Sequence, residues 1–135
     1  MFDVAELAGT VPYPLSETPA GLRYAQVEPG LREAARIARV DFVPVALAFV
    51  DLDPTWDVFA AEIQVSVLDG FRWRGLDCLA VRASVEAWLG EGGFRVGKVV
   101  AAGSLEEAVL RACGFDVHGA YEPESGVFVA IDDVG

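Results

Sequence analysis

The sequence predicts an α/β fold, with one mixed, mostly antiparallel sheet of about six strands and helices packed on it. Two observations carry this prediction. Within the predicted strand Val58–Leu68, residues 62–67 alternate polar and apolar side chains with the period of two that is typical of a strand with one buried face. A segment with apolar residues at helical spacing follows directly, so the chain crosses over through a helix after an antiparallel beginning.

The first 30 residues carry the weakest pattern. We predict one or two turns of helix over Phe2–Ala8 and a short strand over Leu22–Val27, stopped by Pro29-Gly30. Between them the chain is broken repeatedly, as in a loop, by Pro12, Pro14, Pro19 and Gly21.

Residues 31–40 fit either a helix or a strand. Apolar residues recur there at helical spacing, and alanine favours the helix. The following segment Val45–Val50 is apolar and rich in β-branched residues, like a central strand. We therefore favour a strand over Ala35–Val40 and a hairpin turn at Asp41-Phe42. Asp51–Asp57 is predicted to connect two strands.

In the strand that follows, Ile63, Val65 and Val67 alternate with Glu62, Gln64 and Ser66, so one face is apolar and the other polar. The next helix runs from about residue 76 to Leu89 and is ended by glycines. Its predicted apolar stripe consists of Leu76, Leu79, Ala80, Ala83, Ala87 and Trp88. We expect Leu79, Trp88 and Val99 to be buried where this helix packs on the sheet.

The C-terminal part reads as strand, helix and hairpin. The strand is Phe94–Ala102, and the helix begins at Ser104, an N-cap completed by Glu107 in a capping box. That helix runs to Cys113 and stops at Gly114. Asp116–Tyr121 and Gly126–Ile131 form the closing hairpin. The predicted order is β-β-β-α-β-α-β-β, in one domain covering residues 1–135 with its core at residues 35–131.

Composition narrows the class of protein. At 135 residues and 53% apolar content, the chain suits a single globular domain. It contains no apolar run near the ~18 residues of a membrane span, and no basic segment followed by an apolar one. The net charge of −11 argues against a nucleic-acid groove. Cys78 and Cys113 lie in apolar surroundings without a histidine at ligand spacing, so we expect structural thiols in a reducing cytoplasm and no metal site.

The segment Val65–Val81 organises the chain, because a strand there ends on the N-terminus of a helix. The first N–H groups of a helix have no intrahelical partner, and the helix dipole adds partial positive charge. Such a junction is a natural anion site. Its loop carries Arg72-x-x-Gly75-x-Asp77, close to the Q/R-x-x-G-x-G/A signature with which acyl-CoA-binding acetyltransferases hold pyrophosphate.

From about Ala35 to Ile131 the chain resembles the GNAT superfamily of acyl-CoA-dependent N-acetyltransferases. Three segments carry the resemblance. They are the hairpin R-V-D-F-V-P-V-A-L-A-F-V, the strand, loop and helix V-S-V-L-D-G-F-R-W-R-G-L-D-C-L-A-V, and the helix ending in Gly-Phe, S-L-E-E-A-V-L-R-A-C-G-F. The resemblance implies transfer of an acetyl group from acetyl-CoA, as co-substrate, to an unidentified small-molecule or peptide amine.

The resemblance also implies site residues. Pantetheine would bond to backbone groups of Val65, Ser66 and Val67, and Glu62 is the candidate base. The amides that would hold pyrophosphate belong to Arg72, Trp73, Arg74, Gly75, Leu76 and Asp77. Trp73 stands where the family usually has a small residue, and Asp77 stands at the final Gly/Ala position.

The catalytic acid and the N-terminal region also depart from the family pattern. The family tyrosine that protonates the thiolate falls on Leu110, so Tyr121 or Cys113 is a substitute, and His118 is a further possible base. The N-terminal portion is short for the family, so either the acceptor site is reduced or a second chain completes it. We expect a homodimer. The alternative function is a non-catalytic GNAT-like interaction or dimerisation module that has lost CoA binding.

Overall fold

The structure is a computed structural model that describes residues 1–52, 61–121 and 126–131, with the backbone alone at residues 72–74 and 119–121. Within these residues, seven strands form one sheet in the order β1-β2-β3-β4-β5-β7-β6. Their bounds are β1 Phe2–Glu6, β2 Arg36–Val40, β3 Val43–Asp51, β4 Ala61–Val67, β5 Val96–Ala101, β6 Asp116–Tyr121 and β7 Gly126–Ile131. Every neighbouring pair is antiparallel except β4–β5. The predicted fold class is confirmed.

The described residues also form three α-helices: α1 Pro19–Tyr24, α2 Leu76–Gly90 and α3 Leu105–Ala112. Short 3-10 helices cover Leu15–Glu17, Pro29–Ala34 and Asp69–Arg74. The capping box predicted for α3 is confirmed in its main bond, since the Ser104 hydroxyl accepts from the Glu107 N–H at 3.1 Å. The Glu107 carboxylate accepts from the N–H of Gly103 rather than from that of Ser104.

The strand prediction for residues 35–40 is confirmed by β2, and so is the turn that follows it. Asp41 and Phe42 have φ values of 48° and 69°. Two consecutive positive φ angles are the signature of the type I′ turn, whose twist matches that of a two-stranded ribbon. The rest of the connection predicted at Asp51–Asp57, the start of the strand predicted at Val58–Leu68 and the turn at residues 122–125 lie outside the described residues.

Two predictions in the first 30 residues are wrong. Phe2–Ala8 is not helical, because β1 pairs with β2 in a register that sets Val4 opposite Ala38. Leu22–Val27 is not a strand, because its first three residues lie in the helix α1 and the rest form the turn that follows it. The Thr18 hydroxyl caps that helix by accepting from the Gly21 N–H at 3.2 Å, and Pro19 occupies its first turn.

The sheet is covered on both faces around β3. On one face α2 packs on β2, β3 and β4. On the other face Leu15, Tyr24 and Val27 from the N-terminal segment cover Leu47 and Phe49. Val45–Val50 is therefore buried throughout, as a strand with helices on both faces must be.

The buried face of α2 differs from the predicted stripe. It consists of Leu76, Asp77, Ala80, Val81, Ser84 and Val85. Leu79 is 37% exposed, so its predicted burial is wrong, while Trp88 and Val99 are only half-buried. Leu76, Val81 and Val85 all belong to the core cluster against the sheet, and at 3.6 residues per turn they span a broad face of the helix that does not include Leu79. None of the described helices is long and apolar enough to span a bilayer.

Candidate functional site

A cleft opens where β4 and β5 part. Within the described strands their parallel ladder consists of Ala61 opposite Val96 and Glu62 opposite Gly97, and it ends there. The space beyond has a volume of about 680 Å³. Its walls are residues 64–69 of β4 and its exit, residues 17–20 with Pro14 from the N-terminal segment, Asp77 of α2, Lys98 of β5, and Leu105, Glu106, Val109 and Leu110 of α3.

The register of β4 shows which of its backbone groups face this cleft. The Leu68 N–H donates to the Val45 carbonyl of β3 at 2.9 Å, and the β3–β4 pairing runs without a register shift. Residues of an antiparallel strand point their N–H and C=O groups alternately to the two edges. Those of Val65 and Val67 therefore point away from β3, toward the gap that β5 leaves.

Ser66 is placed differently from its two neighbours. Its backbone groups point to β3, opposite Leu47, by the same alternation. Its hydroxyl accepts from the Ala20 N–H at 3.1 Å and so ties the start of α1 to β4. Three residues were predicted to bind pantetheine. Val65 and Val67 present backbone groups to the cleft, whereas Ser66 holds the N-terminal segment against β4.

The predicted base, Glu62, belongs to the last β4–β5 pair and lies in a polar cluster next to the cleft, but it is not one of the residues that line the cleft. Its Oε1 accepts from Gln64 Nε2 at 2.6 Å and lies 3.6 Å from Lys98 Nζ. The ammonium of Lys98 also donates to the Ile63 carbonyl at 3.2 Å and lies 4.0 Å from a carboxylate oxygen of Glu106. Lys98 thus bridges the two strands just where their ladder ends.

The predicted anion site is a helix N-terminus whose first turn already holds a carboxylate. Gly75 precedes α2 with φ 70°, and a Cβ there would meet no atom within 4 Å. Leu76 is buried in the core. The carboxylate of buried Asp77 accepts from the Cys78 N–H at 2.9 Å, so this amide already has an anionic partner. The backbone of Arg72, Trp73 and Arg74 forms the preceding 3-10 helix, and their side chains lie outside the described residues.

Of the candidate acids and the second base, the structure describes the side chains of Cys113 and His118. Leu110 lines the cleft, but among the described side chains neither Cys113 nor His118 does. The ring of His118 packs against Phe128 at 6.0 Å on β6, which β7 separates from β5. Tyr121 ends the same strand, opposite Gly126, and its side chain lies outside the description.

Cys113 is buried at the end of α3, and burial raises the pKa of its thiol far above the ordinary range, with a hydrogen bond to Cys78 adding to the effect. Cys78 itself lies with Sγ 3.8 Å from the Val109 carbonyl. Both cysteines are free thiols. In the part of the chain that the structure describes, no group of three histidine, cysteine or acidic side chains is arranged to hold a metal ion.

Sequence reasoning missed two parts of this site. The first is Lys98, whose signal was its being the only lysine in the sequence. The second is the N-terminal segment that forms one wall. The Thr18-Pro19 pair was the available signal there, since threonine at the N-cap and proline at the first helical position mark a helix start.

Comparison with known proteins gives structural matches only. No family model matches the chain, and no curated protein matches it. Among solved structures it is similar to ribosomal-protein-alanine N-acetyltransferase from Brucella melitensis, with TM-score 0.60 and 16% identity over 73% of this chain and 68% of that one. A chain of the NatC complex bound to Gag peptide and CoA matches with TM-score 0.65 and 13% identity over 99% of both chains.

A third match is YncA, a putative acetyltransferase from Salmonella typhimurium with its cofactor acetyl-CoA. Its TM-score is 0.58 and its identity 13%, over 73% of this chain and 63% of YncA, so the match spans less than two thirds of that protein. At such identities these matches establish the fold, and the fold is the one that the sequence resemblance implied.

Proposed function

We propose that this chain, which has the GNAT fold, is an N-acyltransferase that moves an acetyl group from acetyl-CoA to a small-molecule or peptide amine. One observation carries the proposal: β4 and β5 part, and the backbone groups of Val65 and Val67 face the cleft between them. An extended ligand with amide groups can pair with such an edge as an added strand does. The pantetheine arm of CoA has this character.

The proposal assigns the pyrophosphate to amides of residues 72–77, before and at the start of α2. Open space at Gly75 supports close approach of a phosphate, because no Cβ intervenes. Asp77 opposes it, because its carboxylate already accepts from the Cys78 N–H. We therefore expect Arg72 and Arg74 to contribute positive charge and binding to be weaker than with a glycine at residue 77.

For the chemistry, the proposal gives Glu62 the part of general base toward the acceptor amine. It is half-buried beside the cleft, and its carboxylate lies 3.6 Å from the ammonium of Lys98, so it already faces a cationic nitrogen.

Tyr121 stays a prediction for the acid that protonates the thiolate, tested by the activity of Tyr121→Phe. Free thiols at Cys78 and Cys113 support a reducing cytoplasm as the compartment.

The test removes one cleft-facing N–H without touching the β3–β4 ladder. Val65→Pro deletes an N–H that points to the gap, a position where a strand tolerates proline. Val65→Ala is the matched control, since it loses the side chain and keeps the N–H. We expect calorimetry to show that the wild type and Val65→Ala bind CoA. The affinity of Val65→Pro for CoA should be at least about tenfold lower than that of the wild type.

Thermal melting of all three proteins reports folding and binding together. CoA at 100 times its dissociation constant stabilises a fold by about 2.7 kcal/mol. Equal CoA affinity in a folded Val65→Pro and in the wild type would remove Val65 from the site. If the wild type gains no stability from millimolar acetyl-CoA, the acyltransferase proposal fails.

Two observations favour the second candidate, a non-catalytic interaction module. Asp77 occupies the amide that an anion would use, and Leu110 stands in the cleft where the family has its tyrosine. On this account the first-turn carboxylate serves the helix dipole alone. The absence of any effect of acetyl-CoA on melting is the result that selects this candidate.

A further inference from the structure

The only lysine of the sequence lies inside the cleft. Lys98 is the first residue of β5 beyond the last β4–β5 pair, and its side chain is only 16% exposed. We propose that Lys98 is itself an acyl acceptor, so that a thioester bound in the cleft acylates the protein at Lys98 Nζ. This inference rests on the proposed function, because it requires a thioester between β4 and β5.

The position of the nitrogen supports the proposal. Lys98 Nζ is 3.2 Å from the Ile63 carbonyl. By the alternation of β4, that carbonyl belongs to the same edge as the groups of Val65 and Val67. Residues two apart in a strand are separated by roughly 7 Å. A thioester arm paired with Val65 therefore lies within roughly 7 Å of the amine.

The neighbours of Lys98 supply the proton transfer that acylation needs. Glu62 Oε1 lies 3.6 Å from Nζ and accepts one proton from the ammonium. The neutral amine then attacks the thioester carbonyl carbon, the N–C bond forms and the C–S bond breaks. A second N–H proton ends on the departing sulfur, which leaves as the thiol. The products are an amide at Lys98, free CoA and the proton that Glu62 returns to solvent.

Acylation should stop after one group. The amide nitrogen carries no positive charge, so it no longer pairs with Glu62 or Glu106, and no second lysine exists in the sequence. The N-terminal nitrogen of Met1 is exposed and lies 3.3 Å from Asp41. Any acetylation there reports the uncatalysed reaction.

The experiment is incubation of the whole chain with acetyl-CoA, followed by intact-mass measurement and peptide mapping. Arg111→Lys adds a lysine at an exposed position of α3 as an internal standard for uncatalysed acetylation. We expect one acetyl group per chain, on Lys98, appearing about 100-fold faster than acetylation at residue 111 or at the N-terminus. Glu62→Gln should slow it by about 100-fold while calorimetry finds CoA affinity unchanged.

The failures can be told apart. If calorimetry shows CoA bound but Lys98 stays unmodified, or gains acetyl no faster than residue 111, the Lys98 proposal is overturned and the proposed function stands. If the wild type neither binds CoA nor gains acetyl, both are overturned. Lys98→Arg keeps the positive charge across the gap. Lys98→Arg should not be acetylated at residue 98. Melting and CoA calorimetry on this variant show whether that result comes from the missing amine or from a failure to fold.

Discussion

Asp77 is the residue at which helix stability and ligand binding compete. Asp77→Asn keeps an oxygen for the Cys78 N–H and removes the charge. A carboxylate about 4 Å from a phosphate oxygen costs roughly 1 kcal/mol in water and about 4 at an effective dielectric of 20. We expect calorimetry to show several-fold tighter CoA binding and urea melts to show a loss of about 0.3–1 kcal/mol from the helix dipole. Unchanged affinity in the folded variant would place no phosphate near Asp77.

Cys113 makes the fold sensitive to alkali. Burial raises the pKa of its thiol above the ordinary value of 9.0, so above pH 9 the unfolded chain ionises while the folded chain keeps the proton. Stability is thus complete below pH 9 and falls as pH rises beyond it, by about 1.4 kcal/mol per pH unit for each such group. Tyr24, whose pKa burial also raises, adds to the slope above pH 10. Urea melts of Cys113→Ala should show a shallower decline, and an identical slope would contradict this account.

At this scale, sequence patterns found the strand residues but not their partners. The alternation of residues 62–67 placed Glu62 on the polar face and Val65 on the apolar one. Lys98 Nζ reaches the Ile63 carbonyl because of how far β4 and β5 diverge. This divergence is a property of the whole sheet and cannot be predicted from the sequence of either strand.

At the scale of the element, α2 contains a matched pair of leucines in different environments. Leu76 is 1% exposed and Leu79 is 37% exposed, three residues apart on the same helix. Leu76→Ala should lose about 2–5 kcal/mol, the usual cost of truncating a buried leucine. Leu79→Ala should lose under about 1 kcal/mol, since little of its contact with the core is removed. Chemical denaturation of both variants measures the difference, and equal losses would show that Leu79 is part of the core.

Elements with local signals were predicted well. The turn at Asp41-Phe42 and the capping box of α3 are fixed by neighbours in sequence, and both were found. The strand β1 was not, because Phe2–Glu6 becomes extended only by pairing with Arg36–Val40, about thirty residues later. The apolar stripe of α2 was misjudged for a related reason: several faces of the helix are apolar, and the sheet selects which one is buried.

On the scale of the whole molecule, the cleft results from one change of direction in the sheet. All pairs are antiparallel except β4–β5, which α2 joins by a crossover. The crossover allows β5 to leave β4 after two residue pairs, and the N-terminal segment then closes the opposite side through Ala20 and Ser66. The resemblance to a known family predicted a ligand at the backbone of Val65, Ser66 and Val67, whereas hydrophobic periodicity alone predicted the strands and helices without the gap.

An exposed apolar surface at one end of the sheet leads to the last prediction, a homodimer. Met1, Phe2, Phe42 and Val43 are each more than half exposed, where the edge strand β1 meets the β2–β3 turn. Among the strands that the structure describes, none pairs with the outer edge of β1, and an open edge beside apolar side chains favours pairing with a second copy. We expect light scattering to show a dimer in the wild type and a monomer in the double variant Phe2→Ser/Phe42→Ser. Leu105 is an exposed apolar residue on α3, and Leu105→Ser is the control, which should remain dimeric. A wild type that stays monomeric up to about 1 mM, equivalent to an association free energy weaker than about 4 kcal/mol, would rule this dimer out.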